Sequence, residues 1–337
     1  MKRHETRTLL ALTALPLALL SACDRSKGPE PGSSPPQQAE PQPTPAAAQA
    51  APAAADTAAQ PPSTPEKQVV RIAGFSTPES VMYDGEADQY VVSNINGKPG
   101  EADDNGFISR ASPEGAVTEL RWIDGEKKDV TLNAPKGLTM AAGKLYVADI
   151  DTVRAFDAKT GVPAGAVKIA GATFLNAMAT GSDGTVYVSD TGVKIGDKGV
   201  EPTGTDAIYK VDLKAKKATP LIKSKELNGP NGLAAAAPGL WVVTFRGDEL
   251  ALITPQGKRE QVQKLPKGQL DGLAMAAGGD LLVSSWESAT VYRGPVTGPF
   301  KPVVTGVTSP ADIDVDTKRN RVLVPLFQKN TVEAHGL

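Results

Sequence analysis

Six residues at equivalent positions of an internal repeat could act together in this 337-residue chain. Each one follows the first residue of a short segment that recurs six times, and the successive spacings are 57, 40, 55, 40 and 40 residues. We call these six the ring residues: Glu79, Lys136, Asn176, Asn231, Asp271 and Ala311. Four of them are oxygen donors, and oxygen ligands without histidine or thiolate suit Ca²⁺, less often Mg²⁺ or Mn²⁺. One such residue alone is compatible with ordinary turn chemistry, but four at aligned positions indicate a shared site.

The rest of the composition excludes several kinds of chemistry. The chain has two histidines, His4 and His335, and a single cysteine, Cys23. This argues against a Ser-His-Asp triad, a His-rich zinc site and an intramolecular disulfide. The formal net charge of −2 offers no basic surface, so we expect no nucleic-acid partner.

The elements that must position the ring residues are short strands. From residue 67 onward, runs rich in Val, Ile, Leu, Tyr and Ala alternate with Gly, Pro, Asn and Asp, and no long 3.6-residue apolar period occurs. A repeat near 40 residues in an all-β chain is typical of a propeller blade. We therefore predict an all-β fold for residues 67–337, a six-bladed β-propeller of four-stranded blades. Equivalent blade positions converge on the central axis, which would bring the ring residues together.

The sixth repeat contains only three predicted strands, over residues 312–316, 321–327 and 331–335. A strand without a repeat of its own, Val69–Ala73, precedes the first repeat. We predict that it pairs with Thr331–His335, because this closes the ring and removes an exposed sheet edge.

A second set of polar residues ends the second strand of several repeats. Candidate substrate contacts in this set are Asn94, Asp149, Asp190 and Ser285. The alternative for each is turn chemistry after a strand. Two long loops, 94–106 and 191–206, leave the same face and are predicted to act as lids or specificity elements. Three aromatic residues at strand ends could line a pocket wall: Phe245, Trp286 and Phe327.

The segments Pro78-Glu79-Ser80, Pro230-Asn231-Gly232-Leu233 and Asp271-Gly272-Leu273 resemble the regucalcin/gluconolactonase family. That family shares its architecture with squid-type phosphotriesterases and strictosidine synthase relatives. The resemblance implies that Glu79, Asn176, Asn231 and Asp271 coordinate a divalent cation, usually Ca²⁺, at the channel mouth. It further implies that the cation polarises a lactone or ester carbonyl and that Asp271 also acts as base or nucleophile.

Two residues depart from the family pattern. Lys136 adds a cation to the ring, where it could hold a substrate oxyanion and act in catalysis with Asp271, or pair with Glu79 and Asp271 and displace the metal. Ala177 follows Asn176 where hydrolytic members commonly have Asp. Two functions therefore remain open: a metal-dependent hydrolase of a small lactone or ester, and a non-catalytic propeller that binds a small ligand or a protein partner.

The first residues of the chain resemble a targeting signal. A basic start with Lys2, Arg3 and Arg7 precedes the apolar run Thr8–Leu20, and Leu20-Ser21-Ala22-Cys23 resembles a bacterial lipobox. The resemblance implies a signal peptide over 1–22 and membrane attachment through lipidated Cys23; the alternative is ordinary cleavage that leaves a free cysteine. Residues 23–66 are rich in Pro and Ala and are predicted to form a disordered tether. We expect a monomer anchored in the bacterial cell envelope, on the periplasmic side or the cell surface.

Overall fold

The structure, a computed structural model, describes residues 69–196 and 199–337. The predicted signal peptide, Cys23 and the tether lie outside the described residues. Within the described ranges, no helix combines the length and apolar character needed to cross a membrane.

Short runs of β-branched and aromatic residues, separated by tight turns, form six antiparallel four-stranded sheets. Blade 1 contains β2 (Pro78–Asp84), β3 (Gln89–Asn94), β4 (Phe107–Ala111) and β5 (Val117–Asp124). Blade 2 contains β6 (Pro135–Ala141), β7 (Lys144–Asp149), β8 (Thr152–Asp157) and β9 (Pro163–Lys168). Blade 3 contains β10 (Leu175–Thr180), β11 (Val186–Asp190), β14 (Ala207–Asp212) and β15 (Lys217–Lys223).

A two-stranded hairpin, β12 (Val193–Gly196) and β13 (Gly199–Pro202), is inserted between the second and third strands of blade 3. A single 3-10 turn, Lys225–Leu227, leads into blade 4. Blade 4 contains β16 (Pro230–Ala236), β17 (Gly239–Thr244), β18 (Glu249–Ile253) and β19 (Arg259–Lys264). Blade 5 contains β20 (Leu270–Met275), β21 (Leu281–Ser285), β22 (Thr290–Gly294) and β23 (Lys301–Thr305).

Blade 6 is assembled from both ends of the described chain. It contains β24 (Asp314–Asp316), β25 (Arg321–Leu326), β26 (Thr331–Gly336) and, as its outermost strand, β1 (Val69–Ala73). β1 pairs antiparallel with β26 in a register that runs from Val69 opposite His335 to Ala73 opposite Thr331. The predicted six-bladed propeller and its closure by the N-terminal strand are thus confirmed.

Six apolar clusters fill the interfaces between neighbouring blades. The second strand of each blade contributes to the cluster on either side of it, which explains its continuous apolar run. In blade 2, for example, Leu145 and Val147 face blade 1, whereas Tyr146 and Ala148 face blade 3. Packing on both faces makes the blades a rigid frame for whatever the inner strands carry.

The inner strands, one from each blade, contact one another in a closed ring around the axis. Their approach is close enough to demand glycine at three of the positions that follow a ring residue, Gly137, Gly232 and Gly272. A Cβ on Gly137 would lie 2.4 Å from the carbonyl oxygen of Asn176, and one on Gly232 would lie 2.3 Å from that of Asp271. Glycine therefore allows the ring residues of adjacent blades to come together.

Candidate active site at the channel mouth

Each of the first five inner strands carries an irregularity at its ring residue. The pairing with the second strand shifts between the residue before the ring position and the residue two after it, for example between Pro78 and Val81. The ring residue is thereby released from the ladder at the start of the strand.

Serines on the second strands take up the backbone groups that this irregularity frees. Ser93 Oγ accepts the backbone N–H of Ser80 at 2.9 Å, Ser189 Oγ that of Ala177 at 3.0 Å, and Ser284 Oγ that of Gly272 at 2.7 Å. Each of these amides belongs to the residue immediately after a ring residue, so the serines hold the ring positions of blades 1, 3 and 5. Sequence reasoning missed them, although Ser recurs at one position of the repeat.

The four candidate metal ligands share one feature: each has a buried side-chain oxygen without a hydrogen-bond partner. These atoms are Glu79 Oε2, Asn176 Oδ1, Asn231 Oδ1 and Asp271 Oδ1. The four side chains are at most 5% exposed and line the same cavity. The structure thus brings together all four residues that the sequence proposed.

The electrostatics of the two ring carboxylates, Glu79 and Asp271, are unfavourable for the bare side chains. Burial raises the pKa of Glu79 well above its ordinary value, and repulsion from Asp271 and Asp312 raises it further. Burial likewise raises the pKa of Asp271, with repulsion from Asp312 as the second cause. A bound cation would relieve this repulsion, and two carboxylates with two amide oxygens fit the donor set that Ca²⁺ prefers.

Asp312 is an acidic neighbour that sequence reasoning did not identify. It follows the ring position Ala311, occupies the place that glycine takes in blades 2, 4 and 5, and accepts the hydroxyl of Ser80 at 2.7 Å. Burial and the neighbouring Asp314 raise the pKa of Asp312 to about 7. An aspartate at a repeat position that holds glycine in three other blades could have identified this residue from the sequence. No group of three or more His, Cys, Asp or Glu side chains in the described ranges is arranged to hold a metal.

Lys136 points into the cavity and is 1% exposed. Its Nζ donates to the carbonyl oxygen of Ala134 at 3.0 Å and lies 4.3 Å from the centre of the Phe174 ring. Within the described residues it forms no ion pair with a carboxylate, so the geometry does not show the pairing with Glu79 and Asp271 that was one alternative. Burial lowers the pKa of Lys136 to about 8, against the opposing effect of Glu79 and Asp149.

A cavity of about 850 Å³ opens above the ring residues. Its wall includes Phe174, Phe245, Trp286 and Phe327, and both long loops contribute to it: Ile95 and Pro99 from one, the β12–β13 hairpin from the other. Phe245 and Trp286 stack edge-on with ring centres 5.8 Å apart, and Trp286 and Phe327 lie 5.4 Å apart. The aromatic residues at the strand ends therefore do form a pocket wall.

The second set of polar residues lies elsewhere. Asn94, Asp149, Asp190 and Ser285 are at most 1% exposed and are not part of the cavity wall. Asp149 accepts the backbone N–H of Ala134 at 2.8 Å and pairs with Arg154 at 2.5 Å.

The other three members of this set make similar bonds to nearby loops. Asp190 accepts the N–H of Phe174 at 3.0 Å, just before blade 3, and that of Gly192 at 3.1 Å. Asn94 accepts the N–H of Ser76 at 2.9 Å, and Ser285 donates to the carbonyl oxygen of Gly268 at 2.7 Å. These hydrogen bonds are the ones that the turn-chemistry alternative predicts, because all four side chains bond to loops.

Comparison with known proteins identifies relatives by structure alone. No protein-family model matches the chain, and no curated protein matches it. A structural-genomics protein described as a gluconolactonase superposes with a TM-score of 0.62 at 15% identity, over 81% of this chain and 93% of the other. The Xanthomonas campestris protein XC5397, a gluconolactonase, gives 0.59 at 17% identity, over 81% and 90%.

A catalytically inactive histidine-to-alanine variant of virginiamycin B lyase from Staphylococcus aureus, in complex with quinupristin, gives a TM-score of 0.53 at 16% identity. That match covers 81% of this chain and 100% of the lyase. At these identities the likeness establishes the fold: the chain is a propeller of the kind seen in gluconolactonases and in virginiamycin B lyase.

Proposed function

We propose that this protein is a divalent-cation-dependent hydrolase of small lactones or esters, lipid-anchored at the bacterial cell envelope. The observation that carries the proposal is the set of four buried, unpartnered oxygens of Glu79, Asn176, Asn231 and Asp271 on the floor of one cavity. A buried acceptor without a partner costs about 1–3 kcal/mol, more if it is charged. Four together are best explained as ligands of a cation.

Ca²⁺ is the first candidate, because all four donors are hard oxygens; Mg²⁺ and Mn²⁺ are the others. When bound there, a divalent cation would polarise the carbonyl of a lactone or ester. The chain's own residues would do the rest. The aromatic wall would exclude bulk water, and the buried cavity would strengthen each electrostatic contact.

In this proposal, Asp271 and Lys136 are the residues that would move protons. With Oδ1 holding the cation, the second carboxylate oxygen of Asp271 would accept a proton from an attacking water while the new C–O bond forms. Lys136 Nζ uses one hydrogen bond on Ala134, which leaves two N–H groups for the oxygen that departs when the ester C–O bond breaks. A pKa of about 8 keeps most of this amine protonated at neutral pH.

The competing proposal is a propeller that binds a ligand without chemistry. Ala177 favours this alternative. This buried residue, next to Asn176, has no acidic side chain at the position where hydrolytic members of the family that the sequence resembles commonly have Asp. A lyase that depends on a cavity histidine is not favoured, since the cavity lined by described residues contains none. The inactive virginiamycin B lyase variant shows that a histidine matters in that enzyme.

Calorimetric titration of Ca²⁺ into the metal-stripped full chain tests the proposal, alongside turnover of a panel of lactones and aryl esters. We expect one saturable site, lost in Glu79→Gln and in Asp271→Asn, and calcium-dependent hydrolysis. Glu86→Gln is the matched control, because Glu86 lies on the surface in an exposed pair with Lys159. Calcium binding without hydrolysis would support the binding propeller, and no binding by the wild-type protein would refute the metal site.

The anchor has its own test. The segment Leu20-Ser21-Ala22-Cys23 supports lipidation of Cys23 and membrane attachment of a monomer. A Cys23→Ser variant expressed in a bacterium should move from the detergent phase to the aqueous phase in a Triton partition experiment. Equal partition of both proteins would refute the lipid anchor and leave the catalytic proposal untouched.

A further inference from the structure

The lining of the cavity above the ring residues combines polar side chains with a large apolar surface. The apolar part includes Phe174 and the contiguous rings of Phe245, Trp286 and Phe327. Phe174 precedes the first strand of blade 3, and the other three residues follow the second strands of blades 4, 5 and 6, so the aromatic wall spans consecutive blades. Cavities of roughly 300–1,000 Å³ with mostly apolar walls hold ligands of drug size, and this one measures about 850 Å³.

The hairpin β12–β13 extends this apolar wall beyond the blades. Cross-strand pairs share a face of a hairpin, and the pair Ile195 and Val200 lies on the cavity side, together with Val193. The intervening pair Lys194 and Glu201 lies on the opposite face. Ile195 is 40% exposed and Val200 59% exposed, so the hairpin presents apolar surface to the cavity with nothing packed on it.

Two polar side chains beside the aromatic wall, Thr191 and Arg246, are already engaged, and Lys267 pairs with Glu287 in the same lining. Thr191 Oγ1 donates to the carbonyl oxygen of Pro230 at 3.0 Å and accepts the amide of Asn176 at 3.1 Å. Arg246 pairs with Asp206 and donates to the carbonyl oxygen of Thr191 at 2.7 Å. Substrate hydroxyls that face the aromatic rings and the β12–β13 hairpin would be buried without partners, which carries a large penalty.

We propose that the substrate is an amphiphile: a lactone or ester whose carbonyl reaches the floor and whose alkyl or aryl substituent packs against Phe327, Trp286 and the β12–β13 hairpin. A polyhydroxylated sugar lactone is the substrate class that this wall selects against. The inference deepens the proposed hydrolase and rests on it for the carbonyl chemistry. The apolar wall itself can be tested by binding alone.

The experiment compares three probes on the calcium-loaded full chain: γ-butyrolactone, γ-nonalactone, which adds a pentyl chain to the same ring, and glucono-δ-lactone. A fully buried pentyl chain should raise kcat/KM about 10²- to 10³-fold over γ-butyrolactone. Val200→Ser and Phe327→Ala should each reduce this preference about tenfold. The matched control is Val262→Ser, since Val262 is 45% exposed on the outer strand of blade 4, away from the cavity.

A binding arm separates this inference from the hydrolase proposal. The pentyl-substituted pyrrolidinone, the lactam analogue of γ-nonalactone, should quench Trp286 fluorescence on binding, and the signal should disappear in Trp286→Phe. If the lactam binds with the same losses in the Val200 and Phe327 variants but no lactone is cleaved, the hydrolase proposal fails and the amphiphile site stands. Val200→Ser changes an exposed side chain, so it tests the wall even if Phe327→Ala does not fold.

Two results would overturn the inference. One is a kcat/KM for glucono-δ-lactone equal to or above that for γ-nonalactone. The other is a lactam that does not bind, or binds equally well to wild type and to the Val200 and Phe327 variants.

Discussion

Replacing Glu79 by glutamine should change stability in opposite directions with and without calcium. In the metal-free protein, Glu79 is a buried carboxyl with an unpartnered oxygen, and repulsion from Asp271 adds to the cost of burial. Glutamine removes the charge and supplies N–H donors close to Asp271. We expect the free energy of unfolding in EDTA at pH 7 to rise by about 1–3 kcal/mol, the usual cost of one unsatisfied buried group.

In saturating calcium, the wild-type protein should be more stable than Glu79→Gln, the reverse of the order in EDTA. A ligand at a thousandfold excess over its Kd stabilises the folded state by about 4.1 kcal/mol, and a variant that no longer binds gains nothing. The wild-type protein should then exceed Glu79→Gln by about 1–3 kcal/mol. Urea unfolding in EDTA and in saturating Ca²⁺ measures both differences, and Glu86→Gln should stay within about 0.5 kcal/mol of wild type in each.

The pH dependence of the metal-free comparison follows from the raised pKa of Glu79. A carboxyl whose pKa is higher in the folded state lowers stability once the unfolded chain ionises, above its ordinary value of 4.5. The advantage of Glu79→Gln in EDTA should therefore be small near pH 4 and grow as the pH rises. A variant that is less stable than wild type in EDTA, with an unchanged response to calcium, would refute the reasoning.

Three further predictions concern the frame and the site. Ile72→Ala should lower the free energy of unfolding by about 2–5 kcal/mol, because Ile72 is 0% exposed in the closing strand, whereas Val69→Ala, at a 44% exposed residue, should change it by less than about 0.5 kcal/mol. Equal losses in urea unfolding would contradict this. Gly232→Ala should lower the melting temperature and weaken calcium binding, since its Cβ would meet the Asp271 carbonyl at 2.3 Å; at Gly85 the nearest atom is 3.5 Å away, and Gly85→Ala should change neither. Calcium affinity should fall as the pH falls, because both ring carboxyls have raised pKa values and must lose their protons; a pH-independent Kd in calorimetry would count against the site.

The repeat made the ring positions predictable, because residues at one position of every blade converge on the axis whatever the details of packing. The spacing of the repeats alone therefore predicted that Glu79 and Asp271 lie in the same site. Asp149 could not be placed in the same way. Whether an aspartate at a strand end faces the cavity or accepts a loop N–H depends on the path of the preceding loop, here the backbone of Ala134.

The environment of Lys136 was equally out of reach of the sequence. A lysine at this position predicts a positive charge in the ring, but the direction of its Nζ depends on contacts with two neighbouring groups. The Ala134 carbonyl and the Phe174 ring both come from loops that lead into inner strands. Their position depends on how the irregular starts of β6 and β10 are held, which is a three-dimensional property.

The pairing of β1 with β26 joins strands from opposite ends of the described residues in one blade. Arg71 and Glu333, which bond across this seam at 2.7 Å, are 262 residues apart in sequence. During synthesis, the strand made first must wait for the one made after all five complete blades before its edge is covered. A chain truncated before Thr331 keeps every ring residue but lacks β26. This strand pairs with β1 and completes blade 6 beside blade 1. The arrangement of blades that share the cavity floor therefore depends on a pairing that can form only after β26 has been made.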